Sequence, residues 1–220
     1  MRSRYIWIIL IAFAVCSQSV FANDLTLELN NLGFQIDAAL VKNKTQPELP
    51  RLRELTKLQT KYEALAKKEP LSEFGSQLRA VSKLFSAYVP YADTYSQEFV
   101  FMTTRTIMFM NLFLSRLERD GYPAGFDRPR IITGFGQTLS GVVIIITAKG
   151  ELSDSVRTSI AGTVFPVIDE KWGLLPVTVQ TQIVTTLKAE LPDEPSAELA
   201  NLITGFLAGK SFAEMYRTPQ

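Results

Sequence analysis

Residues 131–148 run for eighteen positions without a charge. A stretch of that kind has to be buried, either inside a protein core or in a bilayer. Within it Val142, Val143, Ile144, Ile145 and Ile146 form a β-branched cluster that would also suit a strand, and Gly134 and Gly136 weaken a helix. The flanking segments supply no alternating partner strands, so the run is expected to be helical.

The same period recurs along the chain. Leu25, Leu29, Leu32, Ile36 and Leu40 are spaced by three and four and fall on one helical face. Thr45 and Glu48 have capping-box spacing ahead of a stripe made by Leu52, Leu55, Tyr62 and Leu65. Leu71, Phe74, Leu78, Val81, Phe85 and Tyr88 make a third stripe, stopped by Pro90. Thr94 and Gln97 again match a capping box and are expected to open a helix over 95–119. That helix is so apolar that Gln97, Thr104, Asn111 and Glu118, seven apart, leave only a narrow strip for water.

Asp120 and Gly121 form a helix stop, and 121–125 a turn. Ser153 or Asp154 caps a further helix to about Lys171, with Pro166 expected to kink it and Gly173 to end it. Pro176 begins another, Pro192-Asp193-Glu194-Pro195 reads as an acidic break, and Ser196 caps a last helix carrying Leu199, Leu202, Ile203, Phe206 and Leu207. The expected fold is all-α, a single compact bundle of about seven or eight helices with 95–119 and 131–148 as two very apolar central helices.

The N-terminus reads as a signal peptide over 1–22. Arg2 and Arg4 precede an apolar run at 5–16, and Val20-Phe21-Ala22 supplies small residues for cleavage before Asn23. Val15 precedes Cys16 where lipid attachment requires Gly, Ala or Ser, which argues against a lipoprotein. The expected product is an exported, periplasmic or extracellular, helical domain over 23–216 with a disordered tail at 217–220. Cys16 is the only cysteine and the chain has no histidine. A processed chain therefore has no disulfide, no thiolate nucleophile, no imidazole base and no zinc site built from Cys or His. Removing Arg2 and Arg4 leaves 21 basic residues against 22 acids, a balance that does not suggest nucleic acid.

Several residue groups invite a chemical reading. Gly136 and Gly141 have phosphate-loop spacing, but Val142 and Val143 stand where Lys and Ser or Thr are required. Gly134, Thr138 and Gly141 instead form a small-residue face that admits a neighbouring helix. The turn between the two apolar helices carries Arg116, Arg119, Arg128 and Arg130, whose guanidinium forks could hold an anion, with Glu118, Asp120 and Asp127 present to pair with them. Arg105 lies among Phe101, Met102, Met108, Phe109 and Leu112, so it must snorkel, pair with a carboxylate or bind a ligand anion. Arg51, Arg53, Lys57, Lys61, Lys67 and Lys68 against Glu54 and Glu63 describe a basic helix that could touch an anionic membrane surface. The adjacent carboxylates Asp169-Glu170 and Asp193-Glu194 point in different directions and do not form an acid/base pair.

No catalytic residue, cofactor or metal ligand is assigned. The function expected is an exported interaction or ligand-binding protein, non-catalytic, taking an apolar small molecule or a partner helix between its helices. Two alternatives follow from the same residues: a membrane-associated protein with an inserted hairpin over 95–148, and an enzyme using carboxylate, Lys or Arg chemistry. Arg105 and Arg116 weigh against the hairpin, because a charge at mid-bilayer costs roughly 2.5–3.5 kcal/mol.

Overall fold

The structure, a computed structural model, describes residues 49–66, 71–149 and 152–210, with Leu27 and Asn31 as single further positions. The expected signal peptide, the capping box at Thr45, most of the first expected helix and the C-terminal tail lie outside the described residues.

Among the described residues there are seven α-helices and no strand. They are α1 (Leu52–Ala66), α2 (Leu71–Tyr88), α3 (Ser96–Asp120), α4 (Arg128–Thr147), α5 (Asp154–Lys171), α6 (Val177–Glu190) and α7 (Ala197–Leu207). Short 3-10 turns occupy Val89–Tyr91, Trp172–Leu174 and Leu191–Asp193. The expected all-α class is thus observed, and the β-branched cluster at 142–146 is helical. The described helices group into two compact units that divide between Asp127 and Arg128.

In the first unit α2 lies along α3, and α1 packs on α3. Of the expected stripe of α2, Leu78, Val81, Phe85 and Tyr88 are buried and Leu71 is half-buried; Leu84 is buried with them, as are Phe99, Met102, Phe109, Phe113 and Leu117 of α3. Phe85 stacks on Phe99 at 5.9 Å between ring centres, and Tyr88 meets Tyr95 edge-on at the same separation. Burying side chains of this size contributes about 1.5–3 kcal/mol each.

The expected capping box at Thr94 does not form. The N-cap of α3 is Tyr95, with no side-chain cap, because the chain enters α3 directly from the preceding turn. The Tyr95 N–H donates to Tyr91 O at 2.9 Å and its own carbonyl accepts from Phe99 N at 2.7 Å. The expected stop does form: Gly121 has φ +87° and donates to Leu117 O at 3.0 Å, a backbone conformation that glycine tolerates best.

In the second unit α4 packs on α5 and α6, and α7 packs on both of those helices. Ile132, Leu139, Val143 and Ile146 of α4 are buried together with Ile160, Phe165 and Ile168, Ile183 and Leu187, and Leu199 and Ile203. Ser153 accepts from Val156 N at 3.4 Å and Ser196 from Leu199 N at 3.2 Å, so both expected serine caps are present. Helix α5 continues through Pro166 to Lys171. Gly134, Thr138 and Gly141 are all buried. A tight approach also occurs one face away, where a Cβ added at Gly136 would lie 3.0 Å from Val179 Cγ1 and 3.4 Å from Leu175 Cδ2. Helix α4 is the one described helix long and apolar enough to cross a membrane, and 67% of its apolar window is buried inside the protein.

Candidate functional site

Helix α3 buries one broad face and leaves another open. At 100° per residue, Phe101, Arg105, Met108 and Leu112 fall within one narrow arc. Met108 is 47% and Leu112 38% exposed, two of the few large apolar side chains in that condition. Phe101 and Arg105 are half-buried beside them. The strip expected to meet water therefore holds more than its polar residues. Gln97 and Glu118 are exposed as expected, Thr104 and Asn111 are half-buried, and two apolar side chains stand between them.

Arg105 snorkels along this strip. Its guanidinium carbon lies 5.6 Å from the centre of the Phe101 ring, and Nη1 is 4.0 Å from Met108 Sδ. It is the sole charge between Phe99 and Ser115, so the apolar strip has one positive group near its middle. The sequence contains the signal for this face: once Arg105 points outward, the residues four before it, three after it and seven after it must do so too.

The other arginines marked in the sequence are placed differently. Arg119 holds Asp120 through two hydrogen bonds of 2.6 and 2.9 Å, and Arg116 Nε is 3.8 Å from the same carboxylate. Arg119 lowers the Asp120 pKa and Asp120 raises that of Arg119. Tyr122 donates to Glu118. This cluster is a charged helix end on the first unit. Arg128 and Arg130 are exposed in the first turn of α4, which has no acid, and belong to the second unit. Of the basic helix α1 and its lead-in, Arg51 is exposed but engaged with the helix beneath it: its Nε is 3.2 Å from the buried Glu98 Oε1 and its guanidinium lies 4.9 Å from the Tyr95 ring centre.

Two buried carboxylates were not legible as such in the sequence. Glu98, 4% exposed, also accepts from Leu52 N at 3.3 Å and thereby caps α1 from α3. Beside it, Tyr88 donates to Pro50 O at 2.5 Å, and burial, with Glu98 next, pushes the Tyr88 phenol well above its ordinary value. Glu194, in the expected acidic break, has a fully buried side chain. It receives Arg157 Nη1 at 2.8 Å and Nη2 at 2.7 Å, and Ser196 N at 3.0 Å. Arg157 also donates to Asp154 Oδ1 at 2.6 Å and to Ile146 O at 3.1 Å.

Convergent charges with displaced pKa values would be the signature of an enzyme lacking His and Cys. The direction decides here. Burial pushes Glu194 up, but the Arg157 guanidinium and the Ser196 N–H outweigh it and hold the carboxyl below its ordinary range. Arg157 is raised, chiefly by Glu194. A general acid needs a raised carboxyl and access to substrate. This pair has neither, and what its geometry can do is hold the segment before α7 against α5 and the end of α4. Among the described residues no three His, Cys, Asp or Glu side chains gather as metal ligands.

Comparison of the chain with protein-family models, with curated proteins and with solved structures finds no match.

Proposed function

We propose that this is an exported, non-catalytic interaction protein whose outer α3 face binds an amphipathic helix of a partner. The observation that carries the reading is the Phe101–Met108–Leu112 strip with Arg105 at its middle. Apolar positions four and seven apart on a rigid helix match the groove-and-helix mode of recognition, in which each side chain seats one anchor of the partner. One cation within an otherwise uncharged strip selects for an acidic rather than a basic partner, through orientation and on-rate more than raw affinity. The buried carboxylates support a non-catalytic role, since both are engaged with arginine and backbone N–H groups that hold helices together. Export rests on the N-terminal pattern described above.

The test is titration of the purified protein with a fluorescent synthetic helix bearing leucines at four-three-four spacing flanked by glutamates. Saturable binding is expected, at least tenfold weaker for a lysine-flanked analogue and lost with Leu112→Glu. Equal binding of a scrambled peptide, or no binding, overturns the reading.

A further inference from the structure

The open strip of α3 carries one oxidisable group, the Met108 thioether. Helix α3 holds three methionines, and the packing of the first unit separates them. Met102 and Met110 are 5% and 6% exposed, whereas Met108 is 47% exposed. The two others, Met1 and Met215, lie near the ends of the chain. A thioether sulfur is soft and polarizable whatever its surroundings, so solvent access decides which of the three on α3 meets an oxidant.

One side of the Met108 sulfur already faces a donor. Arg105 Nη1 is 4.0 Å from Sδ, a long contact to a weak acceptor. A sulfoxide oxygen stands one bond out from that sulfur and is a far stronger acceptor, so the same guanidinium N–H can meet it at ordinary hydrogen-bond distance. Oxidation thus replaces a flexible apolar side chain at the middle of the strip with a polar one tied to its neighbour.

We infer that Met108 is a reversible oxidation site that switches the helix-binding strip off. The oxidant is a peroxide. A lone pair of Sδ attacks one peroxide oxygen, the S–O bond forms as the O–O bond breaks, and the second oxygen leaves as water with the proton of the first. Sulfur gives up two electrons and the peroxide takes them. A dithiol reverses the step, the sulfoxide oxygen leaving as water and the dithiol becoming a disulfide. A partner helix seated over the oxidised strip must desolvate the sulfoxide, which weakens binding by roughly tenfold. The fold is untouched, because the two core methionines of α3 stay out of the oxidant's reach. The inference rests on the strip being a helix-binding face.

The test uses the full chain carrying Cys16→Ser, given a short pulse of dilute hydrogen peroxide and mapped by peptide mass spectrometry. Met108 is expected to gain one oxygen severalfold faster than Met102 and Met110, with the difference gone in urea. The oxidised protein should bind the glutamate-flanked synthetic helix roughly tenfold more weakly at an unchanged melting temperature. Methionine sulfoxide reductase with a dithiol should restore the binding. The same loss is expected with Met102→Leu, Met110→Leu and Met215→Leu combined, where Met108 is the sole methionine beyond Met1. Oxidation of Met102 or Met110 as fast as Met108, or a loss of binding that follows a falling melting temperature, overturns the inference. If the unoxidised protein binds the helix and oxidation of Met108 changes nothing, only this inference fails. If the unoxidised protein does not bind, the helix-binding reading fails and this inference with it.

Discussion

Among the described residues Arg157 is the largest side chain with no exposure, and its position depends on the two oxygens of Glu194, 37 residues away. Removing one partner of such a pair leaves an uncompensated buried charge, which destabilises by about 3–5 kcal/mol. Glu194→Ala is therefore expected to lower the urea midpoint strongly, while Arg157→Met combined with Glu194→Leu recovers most of the loss. The pair also sets a pH dependence. Folding lowers the Glu194 pKa, so the unfolded chain binds the proton more readily. The contribution is complete above the ordinary carboxyl value of about 4.3 and drains away as pH falls through the lower folded value. Urea midpoints measured from pH 7 to pH 3 should show that decline in the wild type and a shallower one in the double variant. An equal slope in both would remove Glu194 from the explanation. None of this was legible in the sequence, where an acid between two prolines reads as a solvated break. The arginine that neutralises it is brought near only by the packing of α5 against the segment before α7.

At the scale of elements, what the sequence made legible is periodicity and punctuation. The serine caps at Ser153 and Ser196, the stop at Gly121 and the helical nature of 131–147 all follow from local chemistry, and all are observed. The capping box at Thr94 misled because its spacing is local but its outcome is not. Tyr95 N–H donates to Tyr91 O as the chain leaves the preceding turn, which puts Tyr95 rather than Thr94 at the N-cap, and Glu98 is taken up by Arg51 and Leu52 N. The open face of α3 was obscured for another reason. On a helix apolar nearly all round, four polar residues at seven-residue spacing do not say how much of the intervening surface is buried. Between α4 and α6, Gly136 gives a sharper expectation. Alanine there gains about 1 kcal/mol of helix propensity but sets a Cβ 3.0 Å from a buried valine methyl, and overpacking of that kind costs about 1–3 kcal/mol. Gly136→Ala should be neutral to destabilising by up to about 2 kcal/mol in thermal melts, and Val179→Ala should relieve it. Additive effects of the two substitutions would contradict the close contact.

For the whole molecule, two helical units divide between Asp127 and Arg128, and each holds its own buried apolar centre. The proposed role requires export. N-terminal sequencing of the exported protein is expected to begin within a few residues of Asn23, and recovery of Met1 would contradict it. It also requires that the open strip be for binding and not for stability. Met108→Glu and Leu112→Glu should each change unfolding free energy by no more than about 0.5 kcal/mol, as exposed positions do. The central claim is that α3 meets a partner in the cell, and site-specific photo-crosslinking tests it most directly. A photoreactive residue at Met108 or Leu112 is predicted to give a discrete adduct with another protein, absent with the same residue at exposed Thr185 of α6 and suppressed by the acidic synthetic helix. No adduct at either strip position, or the same adducts from Thr185, would contradict the account.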